Sequence, residues 1–146
     1  MKIAIINGPN INLLGQREPE HYGVLSYQQL MDNINNYALS KQVEVSWFQS
    51  NHEGAIIDFI QACPDKFQAL IINAAAYTHS SIAILDALLA VALPTVEVHL
   101  SDISKREDFR QVSYLRQACL SSFQGEGELS YLKALDYLLE ELNETN

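Results

Sequence analysis

Cysteine is scarce in this chain of 146 residues, which contains only Cys63 and Cys119. The two form no CxxC pair, and without an export signal they predict free thiols rather than a disulfide. The four histidines show no metal-ligand spacing, and no Cys-His cluster accompanies them. This pattern argues against the common zinc motifs, so we expect no metal site.

Positive charge is also sparse, because nine Lys and Arg stand against eighteen Asp and Glu, for a net charge of −9. Nucleic acids and anionic membranes both bind to basic surfaces, so neither is an expected partner. If the ligand is a small anion, a local basic cluster must attract it against the overall field of the protein.

Long apolar runs are missing. The longest one, Ile82–Leu93, is interrupted by Asp86 and is too short to span a bilayer. The first residues lack the pattern of a signal peptide, so we expect a cytoplasmic protein. An apolar fraction of 48% with 18% charged residues is typical of a globular protein, and the length fits one domain over residues 1–146.

Short β-branched runs alternate with helical patterns along the chain, which favours βαβ units and a parallel sheet. At this length we expect an α/β fold with a doubly wound, flavodoxin-like sheet of five strands in the order 2-1-3-4-5. The predicted strands are Lys2–Asn7, Val43–Gln49, Phe67–Asn73, Thr95–Leu100 and a weaker Ala118–Phe123. The predicted helices are Tyr27–Leu39, Glu53–Ala62, Ser80–Ala92 and Leu129–Leu142.

Polar residues cluster where the predicted strands end. Strand one runs into NGPN from Asn7, strand three into Asn73 and then YTH, and strand four into Ser101. Ligands of open parallel sheets bind at the carboxyl ends of strands, where the strand order reverses. For the predicted order this point lies between strands one and three, so the polar groups should converge there.

Glu97 and His99 are two residues apart on a predicted strand and should point to the same face. A carboxylate beside an imidazole fixes its tautomer and raises its pKa, as suits a general acid. The alternative is a structural ion pair near the end of the sheet.

Three further segments each allow a functional and a structural interpretation. The loop NGPNINLLGQREPEHYG, with Arg17 and Tyr22, is either a binding lid or a solvated connection. Arg106 and Arg110, one helical turn apart, form either an anion clamp or a salt-bridged surface turn. For SNHE, a capping box between Ser50 and Glu53 is favoured over a catalytic role for the histidine.

The glycine-rich turn GEGELS resembles a damaged dinucleotide fingerprint, but no ribose-binding strand follows it.

Together these segments resemble type II 3-dehydroquinate dehydratase over essentially the whole chain. The resemblance rests on NGPNINLLGQREPEHYG, FQSNHEGAIID, NAAAYTHSSIAILDAL, PTVEVHLSDISKREDFR and the dipeptide Ser113-Tyr114. It implies a flavodoxin-like enzyme of the shikimate pathway. Such an enzyme converts 3-dehydroquinate to 3-dehydroshikimate by anti elimination through an enolate, with no cofactor and no metal.

The resemblance also implies a role for each matching residue. Tyr22 would be the base, held as a phenolate by Arg17, and Asn10 would position a water that stabilises the enolate. His99 would protonate the departing hydroxyl while Glu97 orients it. The substrate-binding groups would be Asn73, His79, Arg110 and the backbone of Leu100 and Ser101, with Asp86 contributed by a neighbouring subunit.

The chain departs from the usual pattern of this family at several positions that remove none of the proposed catalytic groups. Ala74-Ala75 stands where Pro-Gly is usual, and Leu85 stands where Arg is usual. Asp102, Ser104 and Gln111 replace a common Asn, His and His.

The resemblance implies a dodecamer of four trimers. The helix IAILDALLAVAL is apolar all round except for Asp86, which predicts burial on every side and a neighbouring subunit as cover. In that setting Asp86 would need a buried partner. The alternative functions are a non-catalytic flavodoxin-like module that binds a small molecule, and a weakened homologue with an altered substrate.

Overall fold

The computed structural model describes residues 1–16 and 25–145, and a single five-stranded parallel sheet forms the centre of this part of the chain. Its strand order is β2-β1-β3-β4-β5, which confirms the predicted doubly wound topology. The strands are β1 (Lys2–Asn7), β2 (Glu44–Gln49), β3 (Ala69–Asn73), β4 (Thr95–His99) and β5 (Ser121–Gln124).

Four α-helices in the described residues cover the two faces of the sheet: α1 (Tyr27–Ser40), α2 (Glu53–Gln61), α3 (Ile82–Val91) and α4 (Leu129–Glu144). Alternate side chains of β1 separate into two cores. Ile3 and Ile5 pack in the core that includes α1 and α4. Ala4 and Ile6 pack in the core that includes α2 and α3. Strands buried on both faces read as continuous apolar runs, as the sequence predicted for the central strands.

The ends of several elements differ from the predicted ones by one to three residues. The fifth strand begins at Ser121 rather than Ala118, because Leu115–Ala118 forms a 3₁₀ helix. The third helix begins at Ile82, since the Ser81 hydroxyl accepts a hydrogen bond from the Ile84 N–H at 2.9 Å and caps the helix.

The predicted capping box at the start of α2 is wrong. The Ser50 hydroxyl accepts a hydrogen bond from the backbone N–H of His52 at 2.9 Å, and His52 is the residue at the N-cap position. Helix α2 therefore has His52 rather than Ser50 at its N-cap, and the Ser50 hydroxyl bonds to His52 instead of capping the helix. A capping box does form at α1, where Ser26 and Gln29 bond reciprocally.

In the single chain α3 is buried on one face only, and the predicted cover of its other face by a neighbouring subunit stays a prediction. One face packs Ile84 and Leu88 into the core. On the other face Ile82 is 57% exposed and Leu89 is 53% exposed, and Asp86 is exposed between them. The described residues therefore leave the apolar outer face of α3 uncovered. In residues 1–16 and 25–145, no helix combines the length and the apolar character needed to cross a membrane.

Gly8 allows β1 and β3 to end side by side. Its N–H donates to the Asn73 carbonyl at 2.8 Å. A Cβ at Gly8 would lie 2.3 Å from the Ala74 carbonyl oxygen, a backbone atom with little room to move.

We therefore expect Gly8→Ala to lower the free energy of unfolding by about 1–3 kcal/mol, because the extra carbon forces the two strand ends apart. The matched control is Gly54→Ala in α2, where nothing lies within 4 Å of the new Cβ. That change should raise stability by up to about 1 kcal/mol. Urea unfolding followed by fluorescence of the single tryptophan, Trp47, measures both changes. A Gly8→Ala protein as stable as the wild type would contradict this account of the turn.

Candidate functional site

A cleft opens at the carboxyl ends of β1, β3 and β4, at the position where the strand order reverses. This is the location that the pattern of polar residues predicted. Seven residues expected at the site line the cleft: Asn10, Asn73, His79, His99, Leu100, Ser101 and Arg110. The other described residues that line it are Pro9, Ile11, Leu14, Ala75, Ala76, Ile103 and Arg106.

Two other expected residues in the described part of the chain, Glu97 and Asp86, do not line the cleft. Arg17 and Tyr22 lie outside the described residues. Glu97 is fully buried and contacts His99. Asp86 lies on the exposed face of α3.

Glu97 and His99 form a buried pair at the end of β4. Nε2 of His99 lies 2.5 Å from Oε2 of Glu97, and the two residues are 4% and 0% exposed. An ionised carboxylate can only accept a hydrogen bond, so Nε2 carries a proton and donates it to Glu97. The other ring nitrogen, Nδ1, does not take part in the contact with Glu97. The pair can therefore hold one tautomer of the imidazole while the ring exchanges a proton through Nδ1.

Two residues that sequence reasoning did not assign complete the surroundings of Glu97. The Ser113 hydroxyl donates to Oε1 at 2.9 Å, and Nη2 of Arg116 lies 3.4 Å from Oε2. Burial alone would raise the pKa of Glu97, but the hydrogen bond from His99 and the charge of Arg116 outweigh it and hold that pKa below its ordinary value. Glu97 is therefore a carboxylate at neutral pH. Ser113 belongs to a motif without an assigned role, and nothing local to Arg116 signals its contact with β4.

Asn73, the last residue of β3, is fixed on both sides of its amide. Its Oδ1 accepts the N–H of Ala75 at 3.2 Å, and its Nδ2 donates to the Tyr131 hydroxyl at 3.1 Å. Ala75 itself has a φ of 53°, in the left-handed region where glycine is the unstrained residue. The structure thus keeps a glycine-like turn at a position where the sequence departs from the family's usual Pro-Gly.

Asn10 follows the turn at the end of β1 and also has a left-handed backbone, with φ 70°. Asparagine tolerates this conformation better than most residues. The Asn10 N–H donates to Oδ1 of Asn51 at 3.0 Å, and Nε2 of Gln49 donates to the Gly8 carbonyl at 3.1 Å. The end of β2 therefore secures the segment that brings Asn10 to the cleft.

His79 enters the cleft as a neutral imidazole. Its Nδ1 donates a hydrogen bond to the carbonyl oxygen of Val112 at 2.8 Å. Burial lowers the pKa of His79 and outweighs the opposing effect of this hydrogen bond. The other nitrogen, Nε2, is consequently free of a proton and can accept a hydrogen bond from a ligand.

Two arginines line the cleft, but they do not share one helical turn as predicted. They lie in or after separate 3₁₀ helices, Ile103–Lys105 and Asp108–Arg110. Nη1 of Arg106 donates to the Ser101 hydroxyl at 3.3 Å, and Nε of Arg110 contacts Glu107 at 2.5 Å. The basic cluster required by an anionic ligand in an acidic protein is therefore present, although its local structure differs from the prediction.

Asp102, the acidic replacement beside this basic cluster, is hydrogen-bonded to its own loop and to the end of β5. Its Oδ1 accepts hydrogen bonds from the Ser104 hydroxyl at 2.6 Å and from Nε2 of Gln124 at 3.0 Å. The bonds from Ser104 hold the pKa of Asp102 below its ordinary value. Asp102 does not line the cleft, and the replacement residue Ser104 supplies its partner.

Comparison with known proteins gives one consistent result. The family described as dehydroquinase class II matches residues 1–139. A 3-dehydroquinate dehydratase of Clostridium perfringens type A is 52% identical over 139 residues, covering 94% of this chain and 96% of the relative. One of Fusobacterium nucleatum is 49% identical over 146 residues, covering 98% and 99%. A crystal structure of type II dehydroquinase from Butyrivibrio crossotus superimposes with a TM-score of 0.93 at 46% identity, covering 94% of this chain and 97% of that one.

Proposed function

The chain belongs to the dehydroquinase class II family, and we propose that it is a 3-dehydroquinate dehydratase, a hydro-lyase of the shikimate pathway. The observation that carries this proposal beyond family membership is the buried Glu97–His99 pair beside a cleft with two arginines. The reaction converts 3-dehydroquinate to 3-dehydroshikimate by removal of water. It requires a base, a group that stabilises an enolate, and an acid.

Tyr22 is the proposed base, on the strength of its position in the motif NGPNINLLGQREPEHYG, and it lies outside the described residues. Free tyrosine has a pKa of about 10, which is too high for a base at neutral pH. A nearby guanidinium favours the phenolate, and Arg17 is the proposed source of that charge. Tyr22 would take a proton from the carbon next to the ketone, leaving the electron pair in an enolate.

Asn10 is proposed to act on the enolate oxygen, and His99 on the departing hydroxyl. Donors already aimed at an enolate oxygen stabilise it without reorganisation, and Asn10 would hold a water there. The enolate then collapses to the conjugated ketone and expels the hydroxyl, which takes a proton from His99 and departs as water. The contact with Glu97 supports this role, because the carboxylate stabilises the protonated ring and fixes its orientation.

The remaining cleft residues are proposed to bind the anionic substrate. Arg110 supplies positive charge for its carboxylate, and the backbone of Leu100 and Ser101 supplies hydrogen bonds. Asn73 and His79 are proposed to bind its hydroxyl groups, and the second N–H of Asn73 Nδ2 and the lone pair of His79 Nε2 support this role.

We also propose that the protein works as a homo-oligomer, a dodecamer of four trimers, in the cytoplasm. The uncovered apolar face of α3, with Ile82 and Leu89 more than half exposed, supports a subunit contact there. Asp86 lies on that face and would reach the cleft of the adjoining subunit. The free thiols of Cys63 and Cys119 support a reducing compartment.

Tyr22→Phe should fold normally and lose nearly all turnover, because the change removes the base and little volume. Conversion of 3-dehydroquinate to a conjugated enone raises the ultraviolet absorbance, which gives a direct assay. Tyr37→Phe is the matched control, since the Tyr37 hydroxyl contacts Asp136 and does not line the cleft. If Tyr22→Phe keeps more than about a tenth of the wild-type rate, less than roughly 1.4 kcal/mol of barrier is at stake and Tyr22 is not the base.

Sedimentation at micromolar concentration should find an oligomer built from trimers. Asp86→Ala should weaken assembly or substrate binding, whereas Asp65→Ala, at an exposed position away from α3, should change neither. A stable and active monomer would refute both the assembly and the shared-site role of Asp86.

A further inference from the structure

A chain of four buried or half-buried polar side chains runs beneath the cleft. Tyr131, on α4, donates its hydroxyl proton to Oδ1 of Asn7 at 2.6 Å and accepts a hydrogen bond from Nδ2 of Asn73 at 3.1 Å. Nδ2 of Asn7 donates to the Tyr27 hydroxyl at 3.2 Å. Asn7 and Asn73 are register partners at the ends of β1 and β3, so Tyr131 joins the two strands where the cleft begins.

One backbone amide fixes the direction of every bond in this chain. The Ala75 N–H can only donate, so the atom of Asn73 that faces it is the oxygen Oδ1. The Asn73 nitrogen must then face Tyr131, whose hydroxyl accepts this bond and spends its one proton on Asn7. The Asn73 amide thus has a single orientation, and one N–H and one lone pair remain for a ligand in the cleft.

The packing around Tyr131 keeps its hydroxyl in this role. The side chain is fully buried, and its ring lies 6.4 Å from that of Trp47 between centroids. Burial raises the pKa of Tyr131 far above its ordinary value, so the hydroxyl remains neutral and retains its proton. The buried hydroxyl therefore stays the hydrogen-bond partner of Asn73 Nδ2.

We infer that Tyr131 is a positioning residue for substrate binding, which holds the amide of Asn73 in the orientation that the substrate requires. The inference rests on the proposed function, because it assumes that Asn73 binds substrate. Tyr131 itself does not line the cleft and acts through Asn73.

The first test is Tyr131→Phe, which deletes only the hydroxyl, with Tyr137→Phe on the same helix as the control. The Tyr137 hydroxyl lies 3.5 Å from the Leu120 carbonyl and interacts with Glu141, and Tyr137 does not line the cleft. Tyr131→Phe should raise KM for 3-dehydroquinate by about fivefold or more while kcat stays within about twofold, since a binding group rather than a reacting group is misplaced. Tyr137→Phe should leave both constants unchanged.

A double-mutant cycle with Asn73→Ala separates positioning from a general structural effect. If Tyr131 acts through Asn73, adding Tyr131→Phe to Asn73→Ala should change KM by less than about twofold. An equal KM increase in both backgrounds, or no KM increase in the single variant, overturns the inference. If Tyr131→Phe does not fold, Asn7→Ala, which removes the acceptor of the Tyr131 proton, takes its place in the cycle with the same expected and contrary outcomes. A wild-type protein without turnover would instead refute the proposed function.

Discussion

The pairing of β1 with β3 is the interaction on which the rest of the structure depends. These strands lie in register from Ile3 opposite Ala69 to Asn7 opposite Asn73, and the Gly8 N–H extends the pairing by one hydrogen bond. Because the chain leaves the two strands toward opposite faces of the sheet, their ends diverge and open the cleft. The same register places Asn7 and Asn73 side by side above the Tyr131 hydroxyl. Fold, cleft and buried polar network thus all depend on the ends of two adjacent strands.

The sequence predicted those features that depend on local periodicity. The runs IAII and ALII are apolar at every position because both faces of β1 and β3 are covered by helices. Alternation along β4 placed Glu97 and His99 on one face, where they meet. The strand order then located the cleft, because a doubly wound sheet binds its ligands where the order reverses.

The features that sequence missed depend on tertiary contacts or on competing local bonds. Tyr131 lies 58 residues from Asn73 and 124 from Asn7, so no spacing rule connects them. Arg116 reaches Glu97 only because the 3₁₀ helix Leu115–Ala118 lies beside β4. Ser50 does not cap α2 because its hydroxyl accepts a hydrogen bond from the His52 N–H, two residues on.

Charge in this protein is arranged locally rather than globally. The net charge of −9 repels an anion, yet Arg106 and Arg110 both line the cleft. Of their acidic neighbours, Asp102 accepts hydrogen bonds from Ser104, and Glu107 pairs with Arg110 itself. The substrate carboxylate would meet this positive cluster near His99, on the side of the cleft formed by the end of β4. The proposed acid, His99, would then act from this side of the bound ring, and an anti elimination requires that the base act from the opposite side.

The stereochemical course of the elimination tests this arrangement most directly. Two samples of 3-dehydroquinate are needed, each carrying deuterium at one of the two positions on the carbon next to the ketone. Mass spectrometry of the product then shows which label the enzyme removes. The account predicts loss of the deuterium on the face opposite the departing hydroxyl and retention of the other. Loss of the deuterium on the same face as the hydroxyl would contradict it.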